Sequence, residues 1–152
     1  MFGSRGYAAC SVDDLVRELG VHRGSLYRAF GSKRGLFVDA LRAHIGNEMP
    51  KLTAALTKAE PEDRVLLAAN SDALDVVVVA AWEAAGDRHI AGMVQDALAD
   101  LGAACLPGEA PVETQRAAGL ALLACRMARR CIPKRQLSDH VAPLAALVGG
   151  KV

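Results

Sequence analysis

The chain of 152 residues is long enough for one compact domain, or for a very small domain joined to a moderate one. Hydrophobic residues make up 52% of it but aromatic residues only 4%, so the core must consist mostly of Leu, Val and Ala, which favours helices packed on helices. No apolar run approaches the roughly 18 residues of a membrane span, and the amino-terminus lacks the apolar segment of a signal peptide. The sequence therefore predicts a cytoplasmic protein without a membrane partner.

The net charge of +1 conceals an unequal distribution along the chain. Residues 1–51 carry eight Lys or Arg and five Asp or Glu, a net charge of +3, whereas residues 52–152 carry ten and twelve, a net charge of −2. Between Arg17 and Arg34 there are five basic residues and one acidic residue, Glu18. A basic segment beside an acidic remainder indicates a polyanionic partner, although a solvated surface shows a milder form of the same asymmetry.

The first clear helix is predicted over residues 11–20. Ser11 is a good N-cap, and Asp14, three residues later, resembles the second member of a capping box. Gly20 is expected to end the helix. One apolar stripe follows the helical repeat and consists of Val12, Leu15, Val16 and Leu19.

A second helix is predicted over residues 22–30, after a tight turn, with Gly31 at its end. At 100° per residue, Leu26 and Phe30 define its buried face, and His22 and Ala29 flank that face. The opposite, outward face holds Gly24, Ser25 and Arg28.

The outward face of this second helix has the chemistry of a DNA reader. Gly24 costs the helix up to about 1 kcal/mol relative to Ala, which makes sense where the backbone must approach a partner closely. A DNA major groove admits a helix, and Arg28 can donate two hydrogen bonds to a guanine edge there. Two short helices joined by a three-residue turn, the second of them basic, describe a helix-turn-helix. The alternative is a helical corner that only builds a core.

The candidate DNA-binding residues combine groups that face bases with groups that face phosphates. Hydroxyl groups, ammonium groups and helix N-termini all bind phosphate oxygens, which makes Tyr27, Lys33 and the helix start at Ser11 candidate phosphate contacts. The predicted DNA-binding residues are Ser11, His22, Arg23, Gly24, Ser25, Tyr27, Arg28 and Lys33.

The rest of the chain reads as further helices. A third helix starts at the cap Ser32 and reaches about Met49, where Pro50 ends or kinks it. One helix is expected from Pro61 to Gly86; it includes the Val76–Val79 run, which finds no second strand to pair with. Further helices are predicted over residues 87–102, 112–131 and 135–149.

Nothing in the sequence indicates an enzyme. We find no catalytic Ser/His/Asp set at a recognisable spacing, no glycine-rich phosphate loop and no cluster of metal ligands, so neither a cofactor nor a metal is expected. The four cysteines form no CxxC pair. The expectation is buried or free thiols, with redox sensing by Cys125 and Cys131 as the less favoured alternative.

Residues 4–41, "SRGYAACSVDDLVRELGVHRGSLYRAFGSKRGLFVDAL", closely resemble the DNA-binding segment of TetR-family transcriptional regulators. The resemblance implies an all-α homodimer that binds a palindromic operator and usually represses transcription until a small ligand binds. The family's groove helix falls on residues 22–30, and its phosphate-contacting tyrosine and lysine fall on Tyr27 and Lys33. The family also has an amphipathic helix before the Gly-Tyr pair, of which only Met1 and Phe2 remain here.

The resemblance predicts two all-α domains. Residues 1–48 would form a helix-turn-helix DNA-binding domain, and residues 49–152 a helical ligand-binding and dimerisation domain. Its last two helices, within residues 112–149, would form the homodimer interface; their small-residue faces permit close helix contact, although internal packing would give the same pattern. The apolar makeup expected of the pocket suggests a hydrophobic or aromatic small molecule as the effector. The alternative function is a truncated regulator that acts by protein–protein contact, as a heterodimer or dominant-negative partner, without strong DNA binding.

A pocket for the effector is expected among the helices of residues 61–131. The side chains considered for its lining are Trp82, His89, Met93, Cys125 and Met127.

Overall fold

A computed structural model describes residues 1–106 and 110–129, and within them it contains helices and no strand. The expected all-α fold is thereby confirmed. The predicted helix over residues 135–149, and Cys131, lie outside the described residues. The helices are α1 (Phe2–Arg5), α2 (Val12–Leu19), α3 (Arg23–Phe30), α4 (Lys33–Lys58), α5 (Pro61–Asn70), α6 (Leu74–Glu83), α7 (Arg88–Ala103) and α8 (Val112–Ala128), with a 3₁₀ turn at Ala84–Gly86.

Helices α2 and α3 begin and end where the sequence predicts. Ser11 and Asp14 form the expected capping box: the Asp14 amide donates to the Ser11 hydroxyl at 3.0 Å, and the Ser11 amide donates to the Asp14 carboxylate at 3.2 Å. Gly20 ends α2 in the left-handed conformation, with φ of 65°, and Gly31 ends α3 with φ of 70°. Both glycines occupy backbone angles that side-chain-bearing residues rarely adopt.

The buried faces of α2 and α3 are narrower than predicted. Leu19, expected within the apolar stripe of α2, is 52% exposed. In α3 only Leu26 is fully buried; Phe30 is half-buried, while His22 and Ala29 are exposed. The reason is that α2 packs mainly on α3, and α3 mainly on α2 and α4, so each is covered along one line only.

Helix α4 is one continuous element of 26 residues, and Pro50 does not end it. Pro50 and Gly46 are both exposed, so water can replace the amide donor that the Gly46 carbonyl loses to the proline. Met49 and Leu52 stay buried on the opposite side. The predicted domain boundary between residues 48 and 49 falls inside this helix and stays a prediction.

The segment expected as one helix from Pro61 to Gly86 is in fact two helices with a bend of 71° between them. Ser71, in extended conformation, ends α5, and its hydroxyl accepts a hydrogen bond from the Ala73 amide at 3.3 Å. Local side-chain bonds of this kind compete with helix continuation. The Val76–Val79 run is helical, as predicted, and three of its four valines are buried. Among the described helices, no single one is long and apolar enough to cross a membrane; α5 and α6 pass that test only together.

Helices α7 and α8 approach each other closely through two glycines. A methyl group at Gly119 would overlap the Leu98 carbonyl oxygen, and one at Gly102 would overlap the Gln115 carbonyl oxygen. Part of the small-residue face of α8 therefore serves internal packing. Its exposed apolar side includes Ala117, Leu120 and Ala124.

The close packing of α7 and α8 predicts opposite effects for two glycine substitutions. Gly119→Ala should lower the free energy of unfolding by about 1–3 kcal/mol, because overpacking forces the two backbones apart. Gly92→Ala, in α7, should raise it by up to about 1 kcal/mol, since nothing lies within 4 Å of the added methyl group. Urea unfolding followed by circular dichroism measures both. Equal effects of the two substitutions would contradict the packing described.

Candidate nucleic-acid interface

The exposed side of α3 starts at His22, which is its N-cap residue. The His22 carbonyl accepts hydrogen bonds from the Ser25 amide at 2.9 Å and the Leu26 amide at 3.1 Å, while its side chain makes no cap hydrogen bond. Nothing lies within 4 Å of the position that a methyl group on Gly24 would occupy. Gly24 is therefore not required by packing within the described chain, and an external partner is a better reason for it.

The outward face predicted for α3 is present in the structure. Ser25 and Arg28 are exposed and, with Ala29, line a shallow depression of about 260 Å³. Tyr27 is partly exposed beside them. The face opposite Leu26 thus offers a hydroxyl, a guanidinium and an open stretch of backbone on one short helix.

Intramolecular ion pairs separate the basic residues of this segment into two groups. Of the five between Arg17 and Arg34, three pair with a carboxylate, while Arg28 and Lys33 pair with none among the described residues. The two unpaired cations are those predicted from the sequence to contact a base edge and a phosphate. The pairs are Arg17 with Asp14, Arg23 with Asp13 at 3.4 Å, and Arg34 with Asp87.

Lys33 is held in place by an aromatic cluster. Its ammonium lies 4.3 Å from the centroid of the Tyr7 ring, a cation–π contact. The Tyr7 ring packs against Phe37 at 5.0 Å and Phe2 at 6.0 Å between centroids. Burial is the main cause that raises the pKa of Tyr7, so its ring stays neutral. Lys33 follows the N-cap Ser32 directly, which sets it on the first turn of α4.

The Ser11 side chain is already hydrogen-bonded within α2. Its hydroxyl donates to the Asp14 carboxylate at 2.6 Å and accepts from the Asp14 amide. The hydrogen bonds that the Asp14 carboxylate accepts from the Ser11 hydroxyl and amide are the largest cause that lowers the pKa of Asp14. A phosphate contact at this point would therefore use the free amides of the α2 N-terminus more readily than the Ser11 side chain.

An ion pair between Arg34 and Asp87 connects the start of α4 to the start of α7. Asp87 is also the N-cap of α7, where it accepts hydrogen bonds from the His89 amide at 3.0 Å and the Ile90 amide at 3.3 Å. The hydrogen bond from Arg34 is the largest cause that lowers the pKa of Asp87 to about 2. An Asp before a helix is a visible capping signal, but no local pattern indicates a partner 53 residues away.

Of the five side chains considered for the effector pocket, Cys125 is buried, Met93 and Met127 are partly buried, and the other two are exposed; the pocket itself stays a prediction. Trp82 is 70% exposed, and His89 is exposed near Arg42. A cleft of about 770 Å³ lies between α4 and α5, and none of the five lines it. Cys105 and Cys125 are buried, and burial raises the pKa of Cys105 to about 11 and that of Cys125 above its ordinary value, which disfavours thiolate chemistry.

Comparisons with known proteins agree with the geometry of the amino-terminal helices. The family described as bacterial regulatory proteins, tetR family, matches residues 1–40. The chain is 42% identical over 45 residues to the uncharacterized HTH-type transcriptional regulator YezE of Bacillus subtilis (strain 168), covering 30% of this chain and 23% of YezE. It is 37% identical over 67 residues to the HTH-type transcriptional repressor BdcR of Escherichia coli (strain K12), covering 44% of this chain and 34% of BdcR. Each match spans far less than two thirds of the relative's length, and no solved structure matches the chain significantly.

The Arg34–Asp87 pair predicts an acid-sensitive part of the stability. Because the folded pKa of Asp87 is depressed, its contribution is present above the ordinary value of 3.8 and is lost as the pH falls through about 2. Asp87→Asn keeps an oxygen for the α7 cap but removes the charge, so its urea midpoint should be lower at neutral pH and should fall less on acidification. Asp39→Asn, at an exposed pair with Arg42, is the matched control. Identical pH profiles for Asp87→Asn and wild type would contradict the pairing.

Proposed function

Because residues 1–40 carry the helix-turn-helix segment of the TetR family of transcriptional regulators, we propose that this chain binds operator DNA as a homodimer and is released by a small-molecule effector. The observation that carries the proposal is the outward face of α3: Arg28 is exposed and without an ion-pair partner among the described residues, one turn from a glycine with open space around it. We propose that α3 enters the major groove and that the residues of its outward face contact the base edges there.

The proposed roles divide between base contact and phosphate contact. Arg28 and Ser25 face base edges; His22, Arg23 and Gly24 form the N-terminal turn that enters the groove first. Phosphates are bound by the groups that flank α3 on either side. These are Tyr27, Lys33 and the N-terminus of α2 that begins at Ser11.

The homodimer is proposed to form through residues 112–149, of which α8 lies in the described part. Its outer face carries exposed apolar residues, including Leu120 and Val112, that have no cover within the described chain. Self-association through one such face on each copy produces a two-fold dimer, as a palindromic operator requires. We further propose a hydrophobic effector, no catalytic activity, no cofactor and a cytoplasmic location.

A second candidate function is regulation by protein–protein contact. Leu19 and Val21 are exposed beside the helix-turn-helix, where apolar side chains would suit a protein partner. A chain of this kind would pair with a related regulator and hinder its DNA binding. The two functions differ in one titration of labelled DNA from the gene's own neighbourhood at two salt concentrations: specific, salt-sensitive binding supports the first, and no binding at low salt contradicts it.

The proposed division of roles predicts different losses for two substitutions. Arg28→Ala should cost about 1–3 kcal/mol on the operator and little on random DNA, because it removes base contacts. Lys33→Ala should weaken binding to all sequences by a similar factor and lower the salt slope by about one. Fluorescence anisotropy on both kinds of DNA measures this, with Lys58→Ala, at an exposed cation in the last turn of α4, as control. If both variants bound every sequence like wild type, α3 would not be the reader.

Gly24 predicts a gain in stability together with a loss of affinity. Gly24→Ala should raise the free energy of unfolding by up to about 1 kcal/mol, since alanine favours the helix and nothing obstructs its methyl group. The same methyl group should weaken operator binding by keeping the backbone from the groove. Gly46→Ala in α4, which also has open space, should stabilise the fold without altering affinity. Unchanged operator binding by Gly24→Ala would show that the backbone does not approach DNA there.

A further inference from the structure

Arg126 of α8 is a buried charged residue, and its side chain is only 11% exposed. Among the described residues, the side-chain hydrogen bonds of Arg126 all go to residues 69–76, which we term the α5–α6 corner. Nε and Nη2 each donate to one carboxylate oxygen of Asp75 at 2.9 Å, Nη2 also donates to Asp72 at 2.6 Å, and Nη1 donates to the Ala69 carbonyl at 3.2 Å. The guanidinium thus bonds the end of α5, the linker and the first turn of α6 together.

Two elements from the amino-terminal half contact the same corner. A methyl group on Gly3 of α1 would lie 3.2 Å from Val76 Cγ2 and 3.3 Å from Asp75 Cβ, so α1 sits close against the first turn of α6. His44 of α4 has Nε2 2.6 Å from the Ala73 carbonyl oxygen, to which it donates. The α5–α6 corner is therefore contacted by α8 on one side, and by α1 and α4 on others.

A buried arginine contributes more to the relative position of the elements it bonds than to the net free energy of folding. An apolar side chain of similar volume often stabilises a buried site as well as a salt bridge does, because desolvation offsets the attraction. Apolar packing is non-directional, whereas a guanidinium that bonds a carboxylate through two nitrogens fixes both distance and angle. The elements that Arg126 bonds are α5 and α6, which meet at a bend of 71°. The bonds of Arg126 cross this bend and join α8 to both of its sides, and α1 packs against the α6 side.

The contacts continue from the corner to the proposed DNA surface. Phe2, on the helix α1 that packs against α6, stacks on Tyr7, and the Tyr7 ring lies under the Lys33 ammonium. Each step from α8 to Lys33 is thus a packed or hydrogen-bonded contact. Energetic coupling between distant sites is carried by contiguous packed side chains and hydrogen bonds, and the Arg126 bonds are the part of this chain of contacts that joins α8 to the α5–α6 corner.

We propose that Arg126 is a positioning residue for DNA binding: it holds the α5–α6 corner so that α1 and the aromatic cluster present Lys33 and α3 correctly. The inference rests on the proposed DNA-binding function and assigns that function a determinant far along the chain from α3. The same contacts would couple the position of α8, the proposed dimer helix, to the geometry of the DNA-binding surface.

The direct test replaces the guanidinium by an apolar chain of similar length. Arg126→Met should fold and dimerise but bind the operator about 3- to 30-fold more weakly, the range expected for residues that modulate coupling between sites. In the same variant the amides of Arg5 and Gly6, which bond the Met1 and Phe2 carbonyls, should exchange with solvent faster. Lys58→Met, which replaces an exposed cation in the last turn of α4 outside the proposed DNA and dimer surfaces, is the control. An Arg126→Met protein that is folded and matches this control in both measurements overturns the proposal.

Two further variants keep the test informative if Arg126→Met does not fold. Asp72→Ala removes one hydrogen-bond acceptor of Arg126 at a side chain that is itself almost fully exposed, and Gly3→Ala places a methyl group 3.2 Å from Val76 Cγ2, which crowds the contact of α1 with the corner. Both should weaken operator binding and speed exchange in α1. Their combined loss should be smaller than the product of the single losses, because both act through one joint. Wild-type affinity and exchange in both variants, or losses that multiply independently, would overturn the inference.

The exchange measurement separates this inference from the proposed function. If the wild-type chain binds no DNA, the DNA-binding proposal fails, whereas faster α1 exchange in Arg126→Met would still support the connection from α8 to α1. Unchanged α1 exchange beside normal operator binding would reject the connection alone.

Discussion

The attachment of α3 through Leu26 is the constraint on which the rest of the candidate interface depends. Leu26 is 1% exposed and is the one fully buried side chain of this helix. A helix that presents most of its circumference to a partner can bury only a narrow line, so its own packing supplies little stabilisation. The orientation of α3 must then come from its neighbours. The capping box of α2, the left-handed glycine after each helix and the long α4 together supply it.

Ion pairs limit the positive charge of the candidate interface to a few residues, because most basic side chains near α3 pair with carboxylates of the same chain. Arg17 and Arg23 lie beside carboxylates of α2, and Arg34 reaches Asp87. Exposed pairs of this kind contribute little to stability, but they reduce the positive charge that a polyanion would meet. The exposed guanidinium of Arg28 and the ammonium of Lys33 retain theirs. A net charge near zero is therefore compatible with a locally positive surface, and total charge alone would underestimate it.

Local signals in the sequence predicted the local parts of this structure well. Ser11 with Asp14, Gly20 and Gly31 set the limits of α2 and α3 through chemistry that acts within four residues. The break after Asn70 was missed because the apolar repeat continues through it, while the Ser71 hydroxyl and the bonds of Arg126 to the corner favour a bend. Contacts between distant residues, such as Arg34 with Asp87, leave no periodic signal and needed the three-dimensional structure. The exposure of Leu19 was missed for a related reason: periodicity marks an apolar stripe but not whether another element covers it.

The joint between the amino-terminal helices and the remainder explains why so short an α1 is ordered at all. Four residues form a single turn, far below the length at which a helix is stable in isolation. Phe2 supplies what the turn lacks, because its ring is buried against Phe37 at 5.0 Å and against Tyr7. Gly3 then lets the backbone of α1 lie directly on α6, where a larger residue would push it away. The turn is thus held by tertiary contacts on two sides, and the position of the aromatic cluster under Lys33 depends on α6. A surface formed by the first forty residues is in this way tied to helices that begin more than thirty residues later.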